Sequence, residues 1–193
     1  MREDRYKMLI TPRLTIRRFV ESDLAAFMAI RNHPDVARYQ SWTHYSEEQA
    51  RRFIANMQRE PCGVPGSGFQ YAVELTAQGV LIGDCYLKVE YEDPRQAEIG
   101  FTFAPEYQGQ GFATEAVSAI LDYAFDDLEA HRVIGSADAR NARSLALMKR
   151  VGMRQEAHFV KSMWFKGEWA DDCIFAILED EWQRGVDGGL PRR

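Results

Sequence analysis

Residues 97–125 constrain the fold most, because they demand a change of backbone period across two closely spaced glycines. Ala97-Glu98-Ile99-Gly100-Phe101-Thr102-Phe103 alternates small or polar residues with apolar ones, the two-residue period of a strand. Pro105 cannot donate to a ladder, so residues 104–108 read as a turn. From Phe112 onward, Ala113, Val117, Ile120, Leu121, Ala124 and Phe125 recur with a helical period. Tyr107-Gln108-Gly109-Gln110-Gly111-Phe112-Ala113-Thr114-Glu115 therefore joins a strand to a helix through Gly109 and Gly111.

The first turn of a helix presents N–H groups with no intrahelical acceptor, and its dipole favours negative charge there. Phosphate or pyrophosphate is thus a sensible ligand, with the two glycines letting the backbone approach it. The dipole contributes only roughly 0.3–1 kcal/mol. Charge-assisted hydrogen bonds of roughly 1.5–3 kcal/mol each must supply more of the binding. The segment lacks the third glycine of a dinucleotide fingerprint and the Lys-Ser or Lys-Thr pair of a P-loop. Read alone, it also fits a tight turn that merely launches an amphipathic helix.

At 193 residues and 46% hydrophobic composition, the chain is most simply one domain with a sizeable core. Its net charge of −5 gives no electrostatic case for nucleic-acid binding and is compatible with a small cationic or amine-bearing partner. Cys62, Cys85 and Cys173 form neither a metal cluster nor a secreted disulfide framework. His33, His44, His131 and His158 are too dispersed for a zinc site, so no metal is expected. The polar opening from Met1 to Arg5 has no signal-peptide core behind it, and no apolar run is long enough to span a membrane. The expectation is a cytoplasmic protein without membrane association.

Arg13-Leu14-Thr15-Ile16-Arg17 alternates like a strand and leads to a helix cap at Ser22 or Asp23, with Leu24, Phe27 and Met28 as the apolar face. Ser46-Glu47-Glu48-Gln49 matches a capping box before Phe53, Ile54 and Met57. Residues 61–68, rich in Pro and Gly, read as a surface loop near the cleft. Residues 69–75, 80–89 and 97–103 predict an antiparallel meander ending at the glycine-rich turn. A further strand at 132–137 precedes Asn141 and a short helix that Gly152 can cap. Residues 157–165 and 173–178 predict a terminal hairpin around Lys166-Gly167-Glu168-Trp169, and residues 183–193 a flexible tail.

Gln108-Gly109-Gln110-Gly111-Phe112-Ala113 resembles the acyl-CoA pyrophosphate loop of GCN5-related N-acetyltransferases, written Gln/Arg-x-x-Gly-x-Gly/Ala. Asn141-Ala142-Arg143-Ser144 and Gly152 resemble the second cofactor-binding segment of that family. The Arg13–Arg17 opening, the Ala97–Phe101 strand and the Lys166–Trp169 turn resemble the RimJ/RimL-like branch, which contains ribosomal-protein N-terminal acetyltransferases. The resemblance spans residues 9–182. It implies a single α/β domain with a splayed, mixed but largely antiparallel sheet flanked by helices. It also implies acetyl-CoA as donor: amides from Gln108 to Ala113 on the pyrophosphate, backbone of Phe101, Thr102 and Phe103 on the pantetheine arm, and Asn141 orienting that arm. Arg150 either approaches the nucleotide phosphate or is a solvated helix residue. Homodimerisation is expected from the family, although no apolar stripe specifies an interface.

A primary amine with a pKa of about 10.4 is nearly all protonated at pH 7, yet its lone pair must attack the thioester. Glu98 is the leading general base, through water, against an acceptor-orienting role or a surface salt bridge. The position where many family members carry a tyrosine acid is Met148, which cannot donate a proton. Ser144 is the replacement implied by the resemblance, for hydrogen bonding to the departing sulfur; a helix cap or a bond to Asn141 is the alternative. Trp42, Tyr45, Trp164 and Trp169 are candidates for an aromatic acceptor wall, or packing residues, and Asp171 and Asp172 add negative charge beside them. The resemblance favours a protein N-terminal α-amine as acceptor. A polyamine, an aminoglycoside or another small amine stands next, and a non-catalytic CoA-binding regulatory domain is the third reading. A peptide enzyme should leave an extended groove, whereas a metabolite enzyme encloses its acceptor.

Overall fold

Among the described residues, eight strands form one sheet in the spatial order β1 (Leu9–Ile10), β2 (Leu14–Arg17), β3 (Gly68–Leu75), β4 (Val80–Val89), β5 (Gln96–Phe103), β6 (Arg132–Asp138), β8 (Glu168–Leu178) and β7 (Arg154–Phe165), and only the β5–β6 pair is parallel. The structure is a computed structural model that describes residues 3–185. In chain order it contains β1 (Leu9–Ile10), β2 (Leu14–Arg17), α1 (Leu24–Asn32), α2 (Pro34–Ala37), α3 (Glu47–Met57), β3 (Gly68–Leu75), β4 (Val80–Val89) and β5 (Gln96–Phe103). Then follow α4 (Phe112–Asp122), β6 (Arg132–Asp138), α5 (Ala142–Arg150), β7 (Arg154–Phe165), β8 (Glu168–Leu178) and α6 (Glu179–Arg184). This is one domain with a mixed, mostly antiparallel sheet flanked by helices, as expected.

Alternation along the strands sorts the helices onto two faces. Tyr71, Val73, Cys85, Leu87 and Ile99 join Ala116, Val117 and Ile120 of α4 and Leu147 and Met148 of α5 in the larger core. The opposite face carries Ala72, which packs with Phe27 of α1 and Ile54 of α3. Asp84 and Thr102 share that face because they pair across β3–β4 and β4–β5 with Ala72 and with each other. Helix α3 starts with the reciprocal box expected at Ser46: its side chain accepts from Gln49 N–H, and the Gln49 side chain accepts from Ser46 N–H.

Several boundaries differ from expectation. A 3₁₀ turn, Glu21–Asp23, precedes α1; Asp23 stands at the N-cap as expected, but its side chain makes no capping bond to the helix. The Asp23 carboxylate instead takes Val20 N–H and both terminal nitrogens of Arg17. Charge-assisted bonds to a half-buried guanidinium outweigh a local cap here. The hairpin is longer than predicted, since β7 begins at Arg154 and β8 at Glu168, so Trp169 is a strand residue. Residues 61–68 lie at the end of β4 remote from the glycine-rich turn, where Gly66 N–H bonds the Val89 carbonyl. Helix α6 runs to Arg184, into the predicted tail, and residues 186–193 of that tail lie outside the described residues.

The feature that positions the site is where β5 and β6 part. Their parallel register holds only at Gln96↔Arg132, Ala97↔Val133 and Glu98↔Ile134. Beyond Glu98, β5 stays paired with β4 as far as Gly83↔Phe103, and β6 stays paired with β8 as far as Asp138↔Asp172. The sheet therefore splays into a V, with the edge of Ile99–Phe103 that faces β6 left without a ladder partner.

Candidate active site

The glycine-rich turn closes the upper end of this V. Gly109 and Gly111 have φ of +75° and +83°, a region L side chains disfavour, and Gly111 is the N-cap of α4. A Cβ on Gly109 would meet nothing within 4 Å, so its glycine is required by conformation and not by crowding. The first-turn amides of α4, from Phe112 onward, point out of the helix with no acceptor earlier in it. Around them, the Gln108 side chain donates to the Phe103 carbonyl at 2.8 Å and accepts from Arg143 of α5 at 2.6 Å. Arg150 donates to Thr114 Oγ1 at 3.4 Å, tying α5 to the start of α4.

On the V's other wall, Asn141 is the N-cap of α5, its side chain accepting from Ser144 N–H at 3.2 Å. The cap thus comes from Asn141, and the Ser144 hydroxyl does not provide it. Met148 is buried, and its sulfur lies 3.1 Å from the position of a Cβ on Gly135, against β6. Ser144, one helical turn earlier on the same face, is partly exposed.

Glu98 stands at the vertex, on the face shared with Thr102 and opposite Lys88 of β4. It is half-buried, and burial raises its carboxyl above the usual value; nearby Lys88 pulls it down and Glu90 pushes it up. Thr102 has a connection that sequence reasoning missed. Its hydroxyl accepts from Arg31 at 3.3 Å, and Arg31 pairs with Asp84 at 2.9 Å, where Gln70 also donates at 2.5 Å. Both charged groups are almost wholly buried.

The segment after α2 crosses the cleft. Trp42 stacks over the Arg31 guanidinium at 4.3 Å and donates its indole N–H to the Arg31 carbonyl. Tyr39 hydroxyl donates to the Arg140 carbonyl at 3.3 Å, and Lys166 at the β7–β8 turn donates to the Ala37 and Trp42 carbonyls at 2.6 and 2.7 Å. Tyr45 packs edge-on against Phe27 and Phe53, as part of the α1–α3 core. Trp164 and Trp169 are exposed, edge-to-face with each other, and alternation along β8 puts Trp169 on the face of Cys173 and Phe175, away from Glu98. Trp42 meets Tyr45 edge to face, whereas Trp164 packs against Trp169 on the terminal hairpin. Asp171 is engaged by His158 and Lys161 N–H, whereas Asp172 sits half-buried beside Asp138, and burial raises its carboxyl.

The open β5 edge and the helix-start amides fit the pantetheine arm and pyrophosphate of acetyl-CoA. A family model described as an acetyltransferase (GNAT) domain matches residues 13–154. The N-acetyltransferase YnaD of Bacillus subtilis, itself uncharacterised, is 33% identical over 90% of this chain and 98% of its own. An acetyltransferase of the GNAT family from Bacillus anthracis superposes with a TM-score of 0.80 at 30% identity, covering 90% of this chain and 99% of that one. Spermidine N-acetyltransferase from Vibrio cholerae, solved with CoA and spermine, gives a TM-score of 0.76 at 25% identity over 90% and 99%. These relatives do not single out the ribosomal-protein branch. The chain belongs to the GNAT family and is an acetyl-CoA-dependent acetyltransferase.

Proposed function

We propose that the acceptor is a small polyamine-class molecule, acetylated on a primary amine. The observation that carries this reading is that residues 37–42 are tied to the far side of the cleft, Tyr39 to the Arg140 carbonyl and the Ala37 and Trp42 carbonyls to Lys166, because a strap there would close the acceptor side where a peptide needs a continuous groove. The likeness to the Vibrio cholerae spermidine enzyme supports the same choice. Glu98 and Asp172 also lie on the cleft face of β5 and β8, where an ammonium chain suits a carboxylate, while Asp138 between them is taken up by Arg140. This reading displaces a protein N-terminus as the leading acceptor.

Acetyl-CoA supplies the acyl group and a thiolate leaving group. Amides from Gln108 to Ala113 hold the pyrophosphate, with Arg150 at the phosphate end; the Phe101–Phe103 edge pairs with the pantetheine arm, and Asn141 orients it. Glu98 receives the amine proton through water, leaving a lone pair free to form the amide bond. Ser144 hydrogen-bonds the departing sulfur, and Trp42 forms the acceptor wall. The test is acetyl-CoA turnover with spermidine, spermine, an aminoglycoside and N-terminal peptides, products identified by mass. Spermidine or spermine should show the highest kcat/KM; a peptide exceeding both would remove the polyamine reading.

A further inference from the structure

We infer that Arg13, at the start of β2, is a positioning residue of the pyrophosphate loop. The inference rests on the assignment of Gln108–Ala113 as that loop, and is independent of the acceptor. The Arg13 guanidinium does three things at once. Its Nε binds Glu115 at 2.6 Å, one Nη donates to the Gln110 carbonyl at 3.0 Å, and the group lies 4.4 Å over the Phe112 ring. The other Nη is 3.2 Å from the position of a Cβ on Gly111. Glu115 completes the brace by accepting from Thr11 Oγ1 at 2.6 Å and from Arg13 N–H at 2.9 Å.

The consequence follows from the planar trans peptide. Carbonyl oxygen and amide hydrogen of one peptide unit point in opposite directions. Holding the Gln110 oxygen toward Arg13 therefore aims the Gly111 N–H away from Arg13. Gly109 and Gly111 have no side chain to restrict other orientations of that unit, so the external clamp is what selects one. Arg13 also balances a carboxylate that would otherwise stand in the first turn of α4 and repel an incoming anion.

Calorimetric titration of the wild type, Arg13→Met and Arg13→Lys with CoA, 3′-dephospho-CoA and pantetheine tests this without any acceptor. The brace involves charge-assisted bonds, so Arg13→Met should weaken CoA and dephospho-CoA about tenfold or more. Pantetheine, which has no pyrophosphate, should bind within about twofold of wild type by the same scale. Arg13→Lys keeps the charge but cannot bridge carboxylate and carbonyl together, and should fall between the two. Unchanged CoA affinity in Arg13→Met, wild-type affinity in Arg13→Lys, or a proportional loss of pantetheine would each overturn the assignment. Loss of all three ligands would mean a general structural role, whereas failure of polyamine turnover alone would leave these titrations unaffected.

Discussion

Glu98 shows how one carboxylate acquires a distinct character from its neighbours. The proposed base role requires the deprotonated form, so on that reading kcat/KM should fall as pH drops through its pKa. Burial, the largest influence, raises that pKa, so the fall should begin at higher pH than for an ordinary glutamate, whose pKa is about 4.3. Lys88 opposes the rise and Glu90 adds to it. Lys88→Met should therefore move the acid limb to higher pH, both by losing a cation and by freeing Glu90 from its ion pair. Glu90→Gln should move it lower, and Glu98→Gln should remove the limb with little change in CoA affinity. A pH–rate profile that ignores the Lys88 substitution would mean that some other group titrates. The place of Glu98 on a strand was readable as a polar interruption of an apolar pattern; its shift was not, because Lys88 and Glu90 reach it only through the β4–β5 register.

At the scale of the element, α5 separates capping from cofactor orientation. Asn141 caps the helix, and Asn141→Ala should cost about 0.5–2 kcal/mol of stability. Asn141→Ser retains a capping oxygen on a shorter side chain, so its Tm should stay close to wild type. If Asn141 also orients the pantetheine arm, Asn141→Ser should still raise the KM for acetyl-CoA several-fold, by about 1 kcal/mol. Thermal melts and donor kinetics on the same preparation decide it: normal stability with normal KM leaves Asn141 as a cap alone. This helix was legible because its signals are local, from Asn141 through Leu147 and Met148 to Gly152, which adopts φ of +90° as a helix terminator. The meander was legible for the same reason. By contrast, Arg13 and Glu115 are far apart in sequence, and nothing near either one announces the pairing. Arg17 likewise draws Asp23 away from a cap, an outcome fixed by tertiary contact and invisible to local propensity.

Across the whole molecule, the sheet behaves as two wings joined at a narrow hinge of three residue pairs between β5 and β6. Such a V gives room for a donor between the wings, but it needs ties elsewhere to keep a defined opening. Arg143 to Gln108 provides one above the helices, and Tyr39 and Lys166 provide others on the acceptor face. Lys166 is the informative one to remove, because from the opposite wing its ammonium binds the carbonyls of Ala37, at the end of α2, and of Trp42 in the strap. Lys166→Met should release the strap while leaving the pyrophosphate loop, which lies on β5 and α4, unchanged. The ratio of spermidine to peptide kcat/KM should then fall about tenfold, equivalent to roughly 1.4 kcal/mol of discrimination. The KM for acetyl-CoA should stay within about twofold on that scale. A preserved ratio would show that acceptor size is set by the cleft walls themselves. A parallel loss of acetyl-CoA affinity would show that Lys166 holds the wings together and does not act on the acceptor alone.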